Sequence, residues 1–147
     1  MEGDDEGIFT SLLIKAVNTQ GCLAYRSYGA DLLLKVCLFA PVDTNIGFIY
    51  APSKNRKVSR IVSSNEARLM ITAKVSLIDR RSGHCVLGPI EVESSIDYDF
   101  EPDLSHINYH AFSLGQLEMH NLAQDAACPP LFANLAEKIV DYVNNSW

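Results

Sequence analysis

A long alternation of apolar and polar residues between positions 66 and 100 constrains the fold of this chain most strongly. Successive side chains of a β-strand point to opposite faces, so such alternation predicts strands with one buried and one solvated face. The buried face is predicted to carry Leu69, Ile71, Ala73, Val75 and Leu77, then Ile90, Val92, Ser94, Ile96, Tyr98 and Phe100. Asp79-Arg80-Arg81-Ser82-Gly83 lies between the two arms and predicts a tight turn.

The residues before this hairpin predict one helix and two further strands. Helical spacing of apolar residues predicts a helix from about Asp5 to Gln20, which Gly21 ends. The apolar run within residues 30–40 predicts an interior strand that is covered on much of both faces. The next strand is predicted over residues 45–50, where Gly47 indicates a bulge.

The C-terminal third predicts a long or broken helix. Ser113 and Gln116 have the spacing of a capping box, which predicts a helix start there. Cys128-Pro129-Pro130 is predicted to end or kink that helix, because proline blocks the preceding turn. The apolar stripe of the last part, which is predicted to end near Asn145, consists of Leu131, Leu135, Ile139 and Val143.

This order of elements predicts a single α+β domain that spans residues 1–147. We expect a small, curved, antiparallel or mixed sheet of three to four strands. Two helices, the second one long or kinked, are expected to pack on one face of it. A chain of 147 residues can bury most of its unfolded surface without a disulfide or a metal.

The composition narrows the classes of partner. The chain is 48% hydrophobic and 20% charged, which is ordinary for a globular protein, and its net charge is −6. An acidic total argues against non-specific binding to nucleic acid and against simple adsorption to an anionic membrane. The four cysteines are far apart and form no CxxC, so we expect free and mostly buried thiols rather than a zinc site.

The N-terminal residues are not expected to act as a signal peptide. Ile8 to Val17 is fairly apolar and precedes Gly21-Cys22, but Glu2, Asp4 and Asp5 are acidic where a signal is basic. No stretch is apolar for long enough to cross a membrane. The expected location is therefore the cytoplasm, unless an export signal has been removed from the chain.

No catalytic or cofactor motif stands out. His106 and His110 have the spacing of a helical metal pair, but a third ligand and an adjacent glutamate are missing. The acidic residues at every second position from Asp97 to Asp103 lack the glycine and terminal glutamate of a calcium loop. The sequence therefore predicts a protein that is not an enzyme, with no metal and no cofactor.

Several segments, in this order, resemble the lipopolysaccharide-assembly lipoproteins called LptE. The likeness covers nearly the whole chain, and it depends on the order and spacing of the segments. They are Glu6-Gly7-Ile8-Phe9-Thr10, Ala30-Asp31-Leu32-Leu33-Leu34-Lys35-Val36, Asn45-Ile46-Gly47-Phe48-Ile49-Tyr50, Asn65-Glu66-Ala67-Arg68-Leu69, Ala73-Lys74-Val75-Ser76-Leu77-Ile78-Asp79, Leu87-Gly88-Pro89 and the stretch from Leu131 to Val143.

This resemblance implies a non-enzymatic component at the periplasmic face of a bacterial outer membrane. It implies a lipopolysaccharide-binding domain that sits inside the β-barrel of a partner, LptD, and is anchored by a lipidated N-terminal cysteine. The chain shows neither that cysteine nor the family's first strand, so we expect a trimmed piece of a longer protein or a partial likeness. The lipid anchor is then expected to be absent from this chain.

Two groups of basic residues are candidates for binding an anionic glycolipid. They are chosen by chemistry, because guanidinium and ammonium groups bind phosphate, and the resemblance does not assign them. The first group lies in the loop within residues 51–62 and the second in the hairpin turn, and these two connections should lie at opposite ends of one strand. The alternative is that both groups are simply solvated loop residues. The candidates are Lys54, Arg56, Lys57, Arg60, Arg80 and Arg81.

Two other readings fit the same sequence. Small, acidic, cytoplasmic chaperones of type III secretion also combine a helix, a three-stranded sheet and a later helix, although they usually have another strand pair before the last helix. An enzyme that uses His106 and His110 is the third reading.

Overall fold

The computed structural model describes residues 5–51, 61–99 and 109–146 and confirms the α+β prediction for that part of the chain. An open antiparallel sheet of four strands carries two helices. The elements are α1 (Asp5–Gln20), β1 (Leu32–Leu38), β2 (Val42–Ala51), β3 (Ile61–Asp79), β4 (Cys85–Asp99) and α2 (Tyr109–Asn145).

Strand β3 is the centre of the sheet. It pairs with β4 from Glu66↔Asp99 to Ile78↔Cys85, which confirms the predicted hairpin. β1 pairs with its C-terminal half and β2 with its N-terminal half. Since β4 already occupies one edge of β3, β1 and β2 lie end to end along the other edge. The sheet is therefore three strands wide but long: the 19 residues of β3 extend about 60 Å at the usual rise per residue.

The inner face of the sheet forms the core with α2. Every second residue of β3 from Ala67 to Leu77 is at most 2% exposed, which confirms the face predicted from the alternation. The stripe of Leu131, Leu135, Ile139 and Val143 on α2 is at most 1% exposed. The apolar face of β3, which repeats every two residues, thus packs on the apolar face of α2, which repeats every 3.6 residues, to form one layer.

Helix α1 packs beside the C-terminal half of α2 and runs parallel to it. The Phe9 and Phe132 rings meet edge to face, with centroids 6.0 Å apart. One helix length further on, Asn144 Nδ2 donates to Gln20 Oε1 at 2.7 Å. Gln20 Nε2 in turn donates to Asp141 at 2.9 Å. α1 begins and ends where the sequence predicts, and Gly21 follows it with φ 74°.

The prediction that β1 is covered on both faces is wrong. β1 is an edge strand of the described sheet, and its side chains alternate between half-buried and exposed. Leu34 and Val36 pack on the core, whereas Leu33 is 49% exposed. A run of apolar residues is typical of a strand that is buried on both sides, but only one face of this strand meets the helices.

Two expectations for α2 are corrected. The helix already includes Tyr109, so the predicted start at Ser113 is wrong. It also continues through Pro129 and Pro130, so the predicted end there is wrong, and the second helix is the long one that the sequence allows, from Tyr109 to Asn145. The residues on either side of the prolines explain this, because Cys128 and Leu131 are buried in the core while both prolines face solvent. Packing outweighs the local penalty of proline here.

The thiol prediction holds in part. All four cysteines are free, but Cys22, Cys37 and Cys85 are exposed and only Cys128 is buried. The general tendency of cysteine to be buried fails for Cys37 because it lies on the outer face of β1, opposite Lys74. Burial raises the pKa of the Cys128 thiol, which favours its neutral form.

The outer face of the sheet, formed by residues such as Lys35, Lys74, Glu91 and Arg68, carries cross-strand charge pairs. Arg68 and Asp97 are direct neighbours on β3 and β4, and Arg68 Nε lies 2.6 Å from Asp97 Oδ1. Lys74 faces Glu91 in the same register. The outer face is thus polar and of mixed charge, in contrast to the inner one.

Replacing Arg68 should change the titration of its partner. The hydrogen bond from Arg68, and next its charge, hold the pKa of Asp97 below the usual carboxyl range. In Arg68→Gln we expect that pKa to rise, as measured by a carbon-13 NMR titration of the carboxyl group. The pKa of Asp97 is lower in the folded than in the unfolded chain, so the pair stabilises the fold when the pH is above the unfolded-state pKa. This stabilisation is lost as the pH falls through the folded-state pKa.

The carboxyl group of Asp79 is the internal control for this titration. Its pKa is lowered by hydrogen bonds from the Arg81 backbone and the Ser82 hydroxyl, and neither contact involves Arg68. An Asp97 pKa that stays low in Arg68→Gln would show that the guanidinium does not cause the shift.

Candidate functional site

An apolar pocket of about 660 Å³ lies between α1, β1 and the end of α2. We call it the α1–β1 pocket. Its walls include Leu13 and Val17 of α1, Leu34 of β1, Leu77 of β3 and Val143 of α2. The pocket is partly open to solvent, and its volume lies in the range of small-molecule sites, roughly 300–1,000 Å³.

The loop between α1 and β1 closes the pocket on one side. Gly21 and Gly29 have φ of 74° and 66°, a backbone conformation that glycine adopts without a steric penalty. The Tyr25 amide donates to Asn18 Oδ1 at 3.2 Å, which fixes the loop to the end of α1. At its other end, the Arg80 amide donates to the Asp31 carbonyl at 3.0 Å, which fixes it to the hairpin turn.

Two arginine residues contribute to the lining of the pocket. Arg26 comes from the loop and Arg80 from the hairpin turn, and both line the cavity together with Asp31. The Asp31 carboxylate is engaged by Arg81, whose guanidinium donates to it at 3.0 Å. The lining of this apolar cavity thus includes two arginine residues and one aspartate whose carboxylate is already paired with a third arginine.

Two of the six basic candidates lie at this pocket. Arg80 lines the α1–β1 pocket, and Arg81 is bonded to its rim. Lys54, Arg56, Lys57 and Arg60 lie outside the described residues. The strand ends on either side of them, Ala51 and Ile61, pair with each other at the far end of β3 from the turn.

A second polar cluster lies near that far end, on the inner face. Tyr98 sits opposite Ala67, and Asp43 sits opposite Leu69, so both point toward α2. The small side chain of Ala67 leaves room for the phenol to reach across β3. Tyr98 Oη donates to Asp43 Oδ2 at 3.0 Å, and His120 Nε2 of α2 lies 2.9 Å from Tyr98 Oη and 2.8 Å from Asp43 Oδ2.

This cluster fastens three elements together. A carboxylate only accepts hydrogen bonds, so the phenol donates its hydrogen to Asp43, and His120 Nε2 donates to it in the ring forms that carry a hydrogen there. Burial, and next the bond to Asp43, raise the pKa of Tyr98 well above its usual value. The phenol therefore stays protonated and serves as a donor, which links β4, β2 and α2 rather than providing a nucleophile.

Tyr98→Phe should destabilise the protein by about 1–3 kcal/mol, because it removes the donor to a half-buried carboxylate. Urea denaturation followed by circular dichroism measures the change. Tyr28→Phe is the matched control, since Tyr28 is 85% exposed, and it should change stability by less than about 0.5 kcal/mol. Equal effects of the two substitutions would contradict the role of the cluster.

The metal site considered at His106 and His110 cannot be compared with the structure. His106 lies outside the described residues, and so does the side chain of His110. Among the residues that are described, no group of three or more His, Cys, Asp or Glu side chains is arranged to hold a metal ion. Over the same residues, neither helix is long and apolar enough to span a bilayer.

Sequence reasoning missed Arg26, Asp31 and the Tyr98–Asp43–His120 cluster. Arg26 lies in Tyr25-Arg26-Ser27-Tyr28, a basic residue between two aromatic ones, which was a usable sign of a binding loop. Asp43, Tyr98 and His120 are far apart in sequence and share no local pattern. Asp43 and Tyr98 come together only through the register in which β2 and β4 pair with β3.

Comparison with known proteins yields structural likeness only. No protein-family profile and no curated protein matches the sequence. A "putative lipoprotein" from Caulobacter crescentus CB15 matches with a TM-score of 0.48 and 18% identity, over 99% of this chain and 84% of its own. A minor lipoprotein from Acinetobacter baumannii matches with a TM-score of 0.49 and 19% identity, over 98% of this chain and 84% of its own. Likeness at this level transfers neither function nor location.

Proposed function

We propose that this chain is a non-enzymatic component of outer-membrane assembly that binds lipopolysaccharide and the inside of an LptD-like β-barrel. The observation that carries the proposal is the meeting of an apolar pocket with Arg26 and Arg80 at one end of the molecule. Lipopolysaccharide combines acyl chains with phosphate groups. Apolar walls next to guanidinium groups match both parts of such a molecule.

The sheet supports the second part of the proposal, which is binding to the inside of a β-barrel. Both described helices pack on its inner face, and the outer face presents the charged pairs of Arg68 with Asp97 and Lys74 with Glu91. Polar side chains line the interior of wide outer-membrane barrels. A long, narrow sheet with a polar outer face is suited to lie against such a wall. The proposal places the chain at the periplasmic face of the bacterial outer membrane.

The test measures binding of the purified chain to lipopolysaccharide and its co-purification with a β-barrel protein from envelope extracts. We expect binding that weakens about tenfold in the double variant Arg80→Gln/Arg81→Gln, since each substitution removes a charged hydrogen-bond donor. Lys74→Gln is the matched control for the lipopolysaccharide measurement alone, because this cation lies on the outer face and is not among the residues that line the pocket.

The outcomes of that test distinguish the proposed function from a secretion chaperone. Lipopolysaccharide binding that the double variant weakens, together with recovery of a barrel, supports the proposal. If neither lipopolysaccharide nor a barrel protein binds, the proposal is wrong. A stable homodimer that instead recovers a secreted effector protein would favour the secretion chaperone.

A further inference from the structure

The α1–β1 pocket borders β1 on more than one side. Leu32, Leu33 and Leu34 are consecutive, so they alternate between the two faces of the strand, yet all three line the cavity. The pocket therefore wraps around the edge of the sheet. This explains why the first three residues of β1 are apolar on both faces although only the inner face meets the core.

The opening of the pocket leaves apolar surface in contact with water. Tyr25 is 51% exposed and Leu33 is 49% exposed, and both line the cavity. Half-exposed apolar side chains around a concave space indicate a surface that is covered when a ligand binds.

The charges beside this opening select the kind of ligand. Arg26 and Arg80 line it, and no ion pair is found for either guanidinium among the residues of the described ranges. The carboxylates at the same end are Asp31, which Arg81 engages, Asp79, which binds the turn through the Arg81 amide and the Ser82 hydroxyl, and Asp141, which accepts from Gln20 Nε2. Each carboxylate thus has a partner within the protein, whereas two cations remain available to an anionic group.

We infer that the α1–β1 pocket binds one alkyl chain of an anionic lipid, with the chain between α1 and β1 and its anionic head group at Arg26 and Arg80. The inference deepens the proposed function and rests on it for the source of the lipid. A volume of about 660 Å³ is that of a site for one small ligand, so the remaining chains of a larger lipid stay outside the pocket.

The probes are hexyl, octyl and decyl phosphate, each below its micelle concentration, titrated into the full chain by calorimetry. We expect one site per chain and an affinity that rises about fourfold for each added methylene group. Inorganic phosphate tests the head group alone, and decanol tests the alkyl chain alone. Both should bind at least tenfold more weakly than decyl phosphate.

Substitutions in the walls and at the rim test the location. Val17→Trp fills the space from α1, and Ala24→Trp fills it from the exposed loop, where a large side chain leaves the core unchanged. Each should weaken decyl phosphate binding at least tenfold. Arg26→Gln and Arg80→Gln should each weaken decyl phosphate about tenfold and leave decanol unchanged. Lys74→Gln should affect neither probe.

Several results would overturn the inference. An affinity that does not depend on chain length, or inorganic phosphate that binds as well as decyl phosphate, excludes an alkyl site. Decyl phosphate binding that survives Ala24→Trp, in a variant with wild-type circular dichroism, places the probe elsewhere. Retained lipopolysaccharide binding without alkyl phosphate binding refutes this inference alone. Alkyl phosphate binding without any lipopolysaccharide or barrel binding refutes the proposed function alone.

Discussion

Leu135→Ala should lower the free energy of unfolding by about 2–5 kcal/mol, the cost of a large-to-small change in a packed core. Leu135 is 0% exposed and belongs to the cluster that joins α2 to the inner face of the sheet. For a chain of this size, each kcal/mol lowers Tm by roughly 3 °C. Urea denaturation and thermal unfolding measure the two quantities independently.

Leu122→Ala is the control for this substitution. Leu122 is on the same helix but 64% exposed, and the change should alter stability by less than about 0.5 kcal/mol. If Leu135→Ala were as mild as Leu122→Ala, α2 would not be packed on the sheet through the predicted stripe.

Gly88→Ala should destabilise the hairpin strongly, by at least about 2 kcal/mol. Two effects act together. Gly88 has a φ of 84°, which costs a residue with a Cβ atom, and that Cβ would lie 2.5 Å from the Val75 carbonyl oxygen. The oxygen belongs to the backbone of the central strand, so relieving the overlap requires β3 and β4 to shift.

Gly83→Ala separates these two effects. Gly83 has a similar φ of 71°, but a Cβ there meets nothing within 4 Å. It should therefore show only the conformational cost of about 1–2 kcal/mol. Equal losses for the two variants in urea denaturation would mean that the contact with Val75 contributes nothing.

The periodic elements of this fold were predictable because each repeats a local signal. The alternation from Leu69 to Leu77 fixes which face of β3 is buried, and the stripe of Leu131, Leu135 and Ile139 fixes the buried side of α2. Pro129 and Pro130 show the limit of local rules. Their penalty is local, whereas the buried neighbours that keep the helix continuous act through tertiary contacts.

The candidate site was predictable only in part. The basic turn at Arg80 and Arg81 stood out as a cluster of charge, but nothing in the sequence pairs it with a pocket. That pairing depends on the loop at Tyr25 and Arg26, which has no periodicity, and on its hydrogen bonds to α1 and the turn. The leucines of β1 were recognised as apolar, yet their shared role in one cavity follows only from the position of β1 at the sheet edge.

Site-specific photo-crosslinking in a Gram-negative host tests the central claim, that lipopolysaccharide is bound at the pocket end of the molecule. A photoreactive phenylalanine replaces Tyr28 in the pocket loop or, as the control, Asn121 beside His120 at the other end of the sheet; both positions are exposed. The account predicts a lipopolysaccharide adduct at position 28 and none at position 121. Equal adducts at both positions, or an adduct at position 121 alone, would contradict it.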